Sequence, residues 1–186
     1  MGQLGHYLRQ SPDDWKQVCL KASQKNPWFT PEFIELSTQS ITKEFLDEEK
    51  LTTLSSNYPI SAETNPKNVG IVMAGNIPMV GFHDFLCVFM SGHPQLVKFS
   101  SKDDILLSFL FEKLYEWEPA CKDLFSKAEN LKGCDAYIAT GNDQSAAHFE
   151  KYFGQFPHII RKNRTSVAIL DGSESRQDLE KLSNDI

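Results

Sequence analysis

An asparagine amide that follows the first compact apolar run of the chain is well placed to do chemistry. The run Val69–Ala74 is broken by Gly75-Asn76-Ile77-Pro78. At the end of a buried strand, the Asn76 amide can donate a hydrogen bond to an oxyanion developing on a substrate, and Gly75 lets a ligand approach the backbone. The alternative is a turn asparagine that tolerates an unusual backbone conformation, and turn chemistry alone favours that alternative.

A lysine and two serines follow a second apolar run. Leu96-Val97-Lys98-Phe99 predicts a strand, and Ser100 and Ser101 would then lie at a helix start, where they could bind a ribose or a phosphate together with Lys98. The alternative is a capping box, in which one of these serines caps the helix and Asp103 or Asp104 completes its first turn. The two interpretations are compatible, because a phosphate can share the helix terminus with its cap. Lys98 fits the capping alternative less well, because its ammonium must leave the sheet or find a partner.

A third strand end carries a glycine-containing turn. Ile138–Thr140 predicts the strand, and Gly141-Asn142 opens a helix that includes Ser145. Free backbone N–H groups at such a helix start favour an anion. The segment lacks the GxGxxG pattern of dinucleotide-binding loops, so it is weak evidence for a binding site when taken alone. It gains weight because it is the third strand end in this chain that carries such residues.

The other nucleophiles and bases have less support. His83 and Asp84 could be a base and its orienting acid, but neighbours in sequence point to different helix faces. Cys87 lies in an apolar run, where burial would suppress its thiolate and favour a packing role. No metal site is predicted, because the four cysteines are widely spaced and form no CxxC pair. The basic run 161–164 could touch a phosphate, although a solvated connection is favoured.

The elements that would position these residues change in character near residue 66. Residues 1–65 carry helix signals: Ser11-Pro12 and Thr30-Pro31 as starts, Asn26-Pro27 as an end, and an apolar stripe at Phe33, Leu36, Ile41, Phe45 and Leu46. Residues 66–186 alternate short apolar runs with helices. Strands are expected at Val69–Ala74, Leu96–Phe99, Ala136–Ala139, Ile159-Ile160 and Val167–Leu170, and helices at Val80–Met90, Ser101–Trp117, Asn142–Tyr152 and Ser175–Asn184. This alternation predicts an α/β fold with a doubly wound, mostly parallel sheet.

Charge and hydropathy exclude some classes of protein. A net charge of −6 argues against a non-specific nucleic-acid binder, which needs an excess of Lys and Arg. The N-terminus lacks the apolar core of a signal peptide, and no run approaches the roughly 20 apolar residues that span a bilayer. We therefore expect a cytoplasmic protein without a membrane span.

Taken together in order, four segments resemble the aldehyde dehydrogenase superfamily, and most closely its LuxC-type acyl-CoA reductases. These segments are NVGIVMAGNIPMVGFHDFLCVFMSGH, LVKFSSKD, IATGNDQSAAHFEKYFG and IIRKNRTSVAILDG. The resemblance implies a Rossmann-like nucleotide-binding domain over residues 66–186, preceded by a helical segment over 1–65.

The resemblance also implies roles for individual residues. Asn76 matches the asparagine that helps to hold the thioester oxyanion. Ser101 stands where NAD-preferring relatives often carry glutamate, and the loss of that charge favours NADP(H). The other cofactor contacts implied are Ala74 and Gly75 along the backbone, Lys98 at the adenosine ribose, and Gly141, Asn142 and Ser145 beside the pyrophosphate.

Two departures from the family pattern bear on the reaction. The segment Ile160–Asn163 lacks the general-base glutamate of hydrolytic relatives, which favours acyl transfer from coenzyme A over hydrolysis. The family's nucleophilic cysteine belongs to a following domain, and none of the four cysteines here matches it. We therefore expect the cofactor-binding portion of an acyl-CoA reductase, inactive alone. The alternatives are a non-catalytic nucleotide-binding module and an interaction domain, such as a homo-oligomer that uses the Phe-rich helices.

Overall fold

All the strands that the structure describes lie after residue 66 and form one parallel sheet. The computed structural model describes residues 1–58, 65–163 and 167–184. The five strands β1 (Val69–Val72), β2 (Gln95–Lys98), β3 (Phe125–Lys127), β4 (Ala136–Thr140) and β5 (His158–Arg161) have the order β3-β2-β1-β4-β5. The chain moves outward from β1 to β3 and then crosses to β4 on the other side of β1, which confirms the doubly wound α/β prediction.

The period-two alternation of side chains divides the sheet into two apolar faces. Val69, Ile71 and Val97 face a large buried cluster that includes the helices α5 (Phe82–Met90) and α6 (Ile105–Trp117). Val72, Leu96 and Tyr137 face a smaller cluster, in which the ring of Tyr137 stacks at 4.1 Å on Phe153 of α7 (Asp143–Phe153). Helices therefore cover both faces of the sheet.

Four helices precede the sheet: α1 (Gly2–Arg9), α2 (Asp13–Lys25), α3 (Pro31–Glu44) and α4 (Glu48–Asn57). Their buried residues, among them Leu4, Trp15 and Ile34, belong to the same cluster as α5 and α6. The rings of Trp15 and Phe109 lie 5.8 Å apart, so α2 packs directly on α6. No helix within the described residues is long and apolar enough to cross a bilayer.

Some helix signals in the N-terminal segment are confirmed and others are wrong. Asn26 ends α2, and the Thr30 hydroxyl accepts a hydrogen bond from the N–H of Phe33 at 3.2 Å, as predicted. Ser11 is not a cap, because Pro12 takes the capping position and Ser11 has φ of 45°. Leu36 is 58% exposed and does not belong to the buried stripe.

The α/β part also differs from the prediction in three elements. The helix α6 begins at Ile105, so neither Ser100 nor Ser101 caps it. The strand β3, preceded by a 3-10 helix at Pro119–Asp123, was not predicted. Val167–Leu170 is not a strand. The helix α8 (Arg176–Asn184) is confirmed, since Ser175 and Asp178 exchange the hydrogen bonds of a capping box.

Candidate functional site

A cavity of about 860 Å³ lies at the carboxyl ends of β1, β2 and β4. Val72 pairs with Lys98 on one side and with Ala139 on the other, so these strand ends share one edge of the sheet. The strand order reverses between β1 and β4, which is where open α/β sheets bind ligands. All nine residues predicted for the site line this cavity: Ala74, Gly75, Asn76, Lys98, Ser100, Ser101, Gly141, Asn142 and Ser145.

The loop after β1 packs closely against the loop after β2. The N–H of Met73 donates to the carbonyl of Lys98 at 3.0 Å, which extends the β1–β2 pairing by one residue. A Cβ on Gly75 would lie 2.6 Å from the Cβ of Ser100. The space left by the missing side chain of Gly75 is therefore filled by Ser100, and this contact, rather than the approach of a ligand, requires glycine here. Asn76, which follows, is exposed to the cavity.

A buried carboxyl group fixes the far end of the β1 loop. Asp103 is 2% exposed, and its Oδ2 accepts a hydrogen bond from the N–H of Met79 at 2.5 Å. Met79 has φ of 57°, a conformation that non-glycine residues rarely adopt. Within the described residues, Oδ1 of Asp103 has no hydrogen-bond partner, and burial raises the pKa of Asp103 to about 7. Asp103 thus serves the β1 loop and not the first turn of α6.

The residues after β2 form a turn instead of a helix start. The Ser100 hydroxyl accepts the N–H of Lys102 at 3.3 Å, and the carbonyl of Ser100 accepts the N–H of Asp103 at 3.0 Å. Lys98 is exposed, as expected for an ammonium that must leave the sheet. Lys98 and Ser101 can therefore contact a ligand, and neither Ser100 nor Ser101 is occupied as the cap of α6.

The third strand end keeps its predicted helix start. Oδ1 of Asn142 caps α7 by accepting the N–H of Ser145 at 2.8 Å. The N–H of Gly141 is used by the carbonyl of Arg161 at 3.1 Å, so it is not free for an anion. A Cβ on Gly141 would lie 2.8 Å from the Cβ of Ser145, which explains the glycine. The positive end of α7 opens into the cavity beside these residues.

The cavity is rich in cations although the whole chain is acidic. Four lysines line it, Lys98, Lys102, Lys127 and Lys162, together with two acids, Asp104 and Glu129. Asp104 is paired with Lys25 at 2.6 Å, so one of the two acids is already neutralised. This surplus of positive charge suits a phosphorylated ligand.

Three of these lysines were not predicted as site residues: Lys102, Lys127 and Lys162, the last of which was considered only within the basic run 161–164. Lys127 ends β3, and its ammonium lies 5.4 Å from the ring centroid of Phe99. The sequence signal that could have revealed it is the lysine at the end of Phe125-Ser126-Lys127, which repeats the pattern at Lys98. Lys102 reaches the cavity from the turn after β2.

The basic run 161–164 divides between two roles. Nη1 of Arg161 donates to both carboxylate oxygens of Asp84 at 2.6 Å, so Arg161 is part of the fold. Lys162 and Asn163 line the cavity, as a contact to phosphate would require. Arg164 lies outside the described residues.

A second group of reactive side chains on α5 does not form a nucleophilic site. Cys87 is exposed, which corrects the expectation that it is buried, and its Sγ lies 3.6 Å from Nε2 of His83. Desolvation and the Asp84 carboxylate nevertheless raise the pKa of Cys87. Asp84 lies 3.6 Å from Nδ1 of His83, too far for an orienting hydrogen bond, and it is engaged by Arg161. The arrangement therefore disfavours a thiolate.

The other cysteines are also poor nucleophiles. Cys121 and Cys134 are buried, and burial raises the pKa of the half-buried Cys19 to about 12. Among the residues that the structure describes, no three His, Cys, Asp or Glu side chains lie close enough together to hold a metal ion.

Comparison of the chain with models of protein families and with curated proteins gave no match. The resemblance to acyl-CoA reductases therefore stays a prediction. The geometry and charge of the cavity are the features that point to a function.

Proposed function

We propose that this chain binds NADP(H) in the cavity at the carboxyl edge of the sheet, as the cofactor-binding portion of an acyl-CoA reductase. The observation that carries the proposal is the meeting of the three polar strand ends, at Asn76, Lys98 and Gly141-Asn142, in one lysine-rich cavity. A cavity of about 860 Å³ is in the size range of cofactor sites.

Each end of the cavity offers a different kind of contact to a dinucleotide. The start of α7, with Ser145, faces the pyrophosphate, which a helix N-terminus favours. Lys98 and Ser101 bind the adenosine ribose and its 2′-phosphate, and Lys102 and Lys127 add positive charge along the same wall. Serine at position 101 presents no carboxylate to repel the 2′-phosphate.

Asn76 is the residue of this site that takes part in the reaction itself. Its exposed side-chain amide donates a hydrogen bond to the carbonyl oxygen of an acyl thioester, where negative charge develops during the reaction. NADPH, when bound, supplies the hydride, so that acyl-CoA, NADPH and a proton give an aldehyde, coenzyme A and NADP⁺. The thiolate that carries the acyl group belongs to a part of the parent protein outside these residues. We place this reaction in the cytoplasm, where the four free cysteines would stay reduced.

An interaction module, including a homo-oligomer, is the second candidate function. The observation that favours it is the segment Val167–Leu170, in which Val167 is 83% exposed and Ile169 is 89% exposed. Such a run of exposed aliphatic residues is typical of a surface that a partner covers.

Titration calorimetry of the chain with NADPH and NADH separates the two functions. We expect NADPH to bind at least about tenfold more tightly than NADH, because its extra phosphate meets lysines. Lys98→Ala should weaken NADPH binding about tenfold. Lys16→Ala is the matched control, since Lys16 lies on α2 and pairs with Asp13 at the surface. Absence of NADPH binding to the wild-type chain would overturn the proposal and favour the interaction module.

A further inference from the structure

A second groove, of about 420 Å³, adjoins the cofactor cavity. The two spaces share the same stretch of wall, formed by Gly75, Asn76, Ser101 and Lys102. The opposite wall of the groove comes from the N-terminal helical segment, where Trp28 lies in the turn between α2 and α3. Asn76 therefore borders both spaces, and a ligand in the groove and a ligand in the cavity would meet at its amide.

The backbone of Trp28 is anchored, although its side chain is exposed. Its side chain is 84% exposed, whereas Phe29 beside it is 1% exposed and anchors the turn in the core. The N–H of Trp28 donates to Oδ1 of Asn26, and Nδ2 of Asn26 donates to the carbonyl of Lys102, both at 3.2 Å. The turn is thus tied to the loop after β2. An exposed indole on an anchored backbone presents an apolar surface to a ligand.

One of the two lysine charges beside the indole is compensated. The ammonium of Lys25 is paired with Asp104 at 2.6 Å. The aliphatic stems of Lys25 and Lys102 can cover an apolar ligand while their ammonium groups stay in water. An indole face, two lysine stems and one amide at the inner end suit an apolar chain with a carbonyl group at its end.

We propose that this groove receives the acyl chain of the thioester substrate, and that Trp28 is a binding residue for it. This inference rests on the proposed function, since it assumes that the thioester carbonyl lies at Asn76. The cofactor then approaches Asn76 from the cavity side and the acyl chain from the side of Trp28. Trp28 contributes to selection for the chain because a longer chain covers more of the indole.

Fluorescence of Trp28 tests this assignment directly. Trp15 is 1% exposed and Trp117 is half-buried, so Trp28 dominates quenching by acrylamide, and the Trp28→Phe variant supplies the background. We expect saturating octanoyl-CoA to reduce the acrylamide quenching of Trp28 at least about twofold, and coenzyme A alone to leave it unchanged. Trp28→Ala should weaken octanoyl-CoA binding about five- to tenfold. Leu20→Ala, at a 57% exposed position on α2, is the matched control and should bind normally.

Each of the other outcomes decides against either the groove assignment or the proposed function. Equal protection by coenzyme A alone would assign the groove to the nucleotide or pantetheine part of the substrate and overturn the acyl-chain proposal. If octanoyl-CoA does not protect Trp28 from acrylamide in a chain that binds NADPH by calorimetry, the acyl-chain assignment of the groove is overturned and the proposed function is not affected. A chain that protects Trp28 with octanoyl-CoA but does not bind NADPH would overturn the proposed function instead. Circular dichroism of each variant shows whether a loss of binding reflects a loss of fold.

Discussion

Nη1 of Arg161, at the end of β5, lies 2.6 Å from both carboxylate oxygens of Asp84 on α5. Asp84 is 7% exposed, and this guanidinium compensates its buried charge. The pair joins the edge strand β5 to the helix that follows the Asn76 loop. Arg161 also accepts the N–H of Gly141 through its carbonyl, so the same residue steadies the third strand end.

Removal of the guanidinium should destabilise the fold. Arg161→Ala leaves a buried carboxylate without its cation, and we expect the free energy of unfolding to fall by about 2–3 kcal/mol. Urea denaturation, monitored by circular dichroism, measures this change in the free energy of unfolding. Arg176→Ala is the control, because Arg176 is 93% exposed in its pair with Glu180 and should change stability by less than about 0.5 kcal/mol. Equal effects of the two substitutions would show that the Arg161–Asp84 pair is not needed for stability.

The buried Asp103 should make stability fall as pH rises. Its pKa is raised from 3.8 to about 7 by burial, so the folded state binds this proton more tightly than the unfolded state. The stabilisation is fully present below about pH 4 and is lost as the pH rises through about 7. Between pH 5 and pH 8 the loss should be about 2–3 kcal/mol.

Asp103→Asn isolates this contribution, since asparagine keeps an acceptor for the Met79 N–H and does not titrate. Relative to wild type, the variant should gain about 2–3 kcal/mol between pH 5 and pH 8 in urea denaturation. Asp13→Asn, at a 92% exposed side chain, should run parallel to wild type. Parallel curves for Asp103→Asn as well would refute the raised pKa.

The contact between Gly75 and Ser100 should appear as a coupling energy. Gly75→Ala places a Cβ 2.6 Å from the Cβ of Ser100, and overpacking of this kind costs about 1–3 kcal/mol. Adding Ser100→Gly should recover at least about 1 kcal/mol of that loss, because the obstructing side chain is gone. A double-mutant cycle from thermal or urea unfolding gives the coupling, and strictly additive effects would contradict the contact.

Much of the fold follows from patterns that are local in sequence. β1, β2 and β4 were predictable because short apolar runs ending in polar turns are typical of buried parallel strands. β3 was not, since Phe125 is the only large apolar residue in Phe125-Ser126-Lys127 and the strand depends on its pairing with β2. Val167–Leu170 has the composition of a strand but is exposed.

The start of α6 shows how a distant contact can override a local signal. Ser100, Ser101, Asp103 and Asp104 have the spacing of a capping box. In the structure the two carboxylates have distant partners: Asp103 accepts from Met79, and Asp104 pairs with Lys25. With both acids engaged elsewhere, the helix begins only at Ile105.

The candidate site also contains residues that local sequence patterns reveal and residues that only the tertiary packing brings to it. Residues at the ends of predicted strands, such as Asn76 and Lys98, could be found from sequence because parallel strands bring their carboxyl ends to one edge. Lys127 could not be assigned to the site from sequence, because it ends β3, a strand that was not predicted. Trp28 is 47 residues from Gly75 in the chain, and only the packing of the N-terminal helices brings its turn to the β1 loop.

The hydrogen bond from Asn26 to the carbonyl of Lys102 has a consequence for how such a chain can change over evolutionary time. It ties a turn of the helical segment to the loop that borders the cavity, and the helices share one buried cluster with α5 and α6. Recombination near residue 65 would supply the strands without one wall of the groove and would uncover part of the core. We therefore expect the helical segment and the sheet to be inherited as one unit, with Asn26 retained, because its side chain makes the bond to a backbone carbonyl.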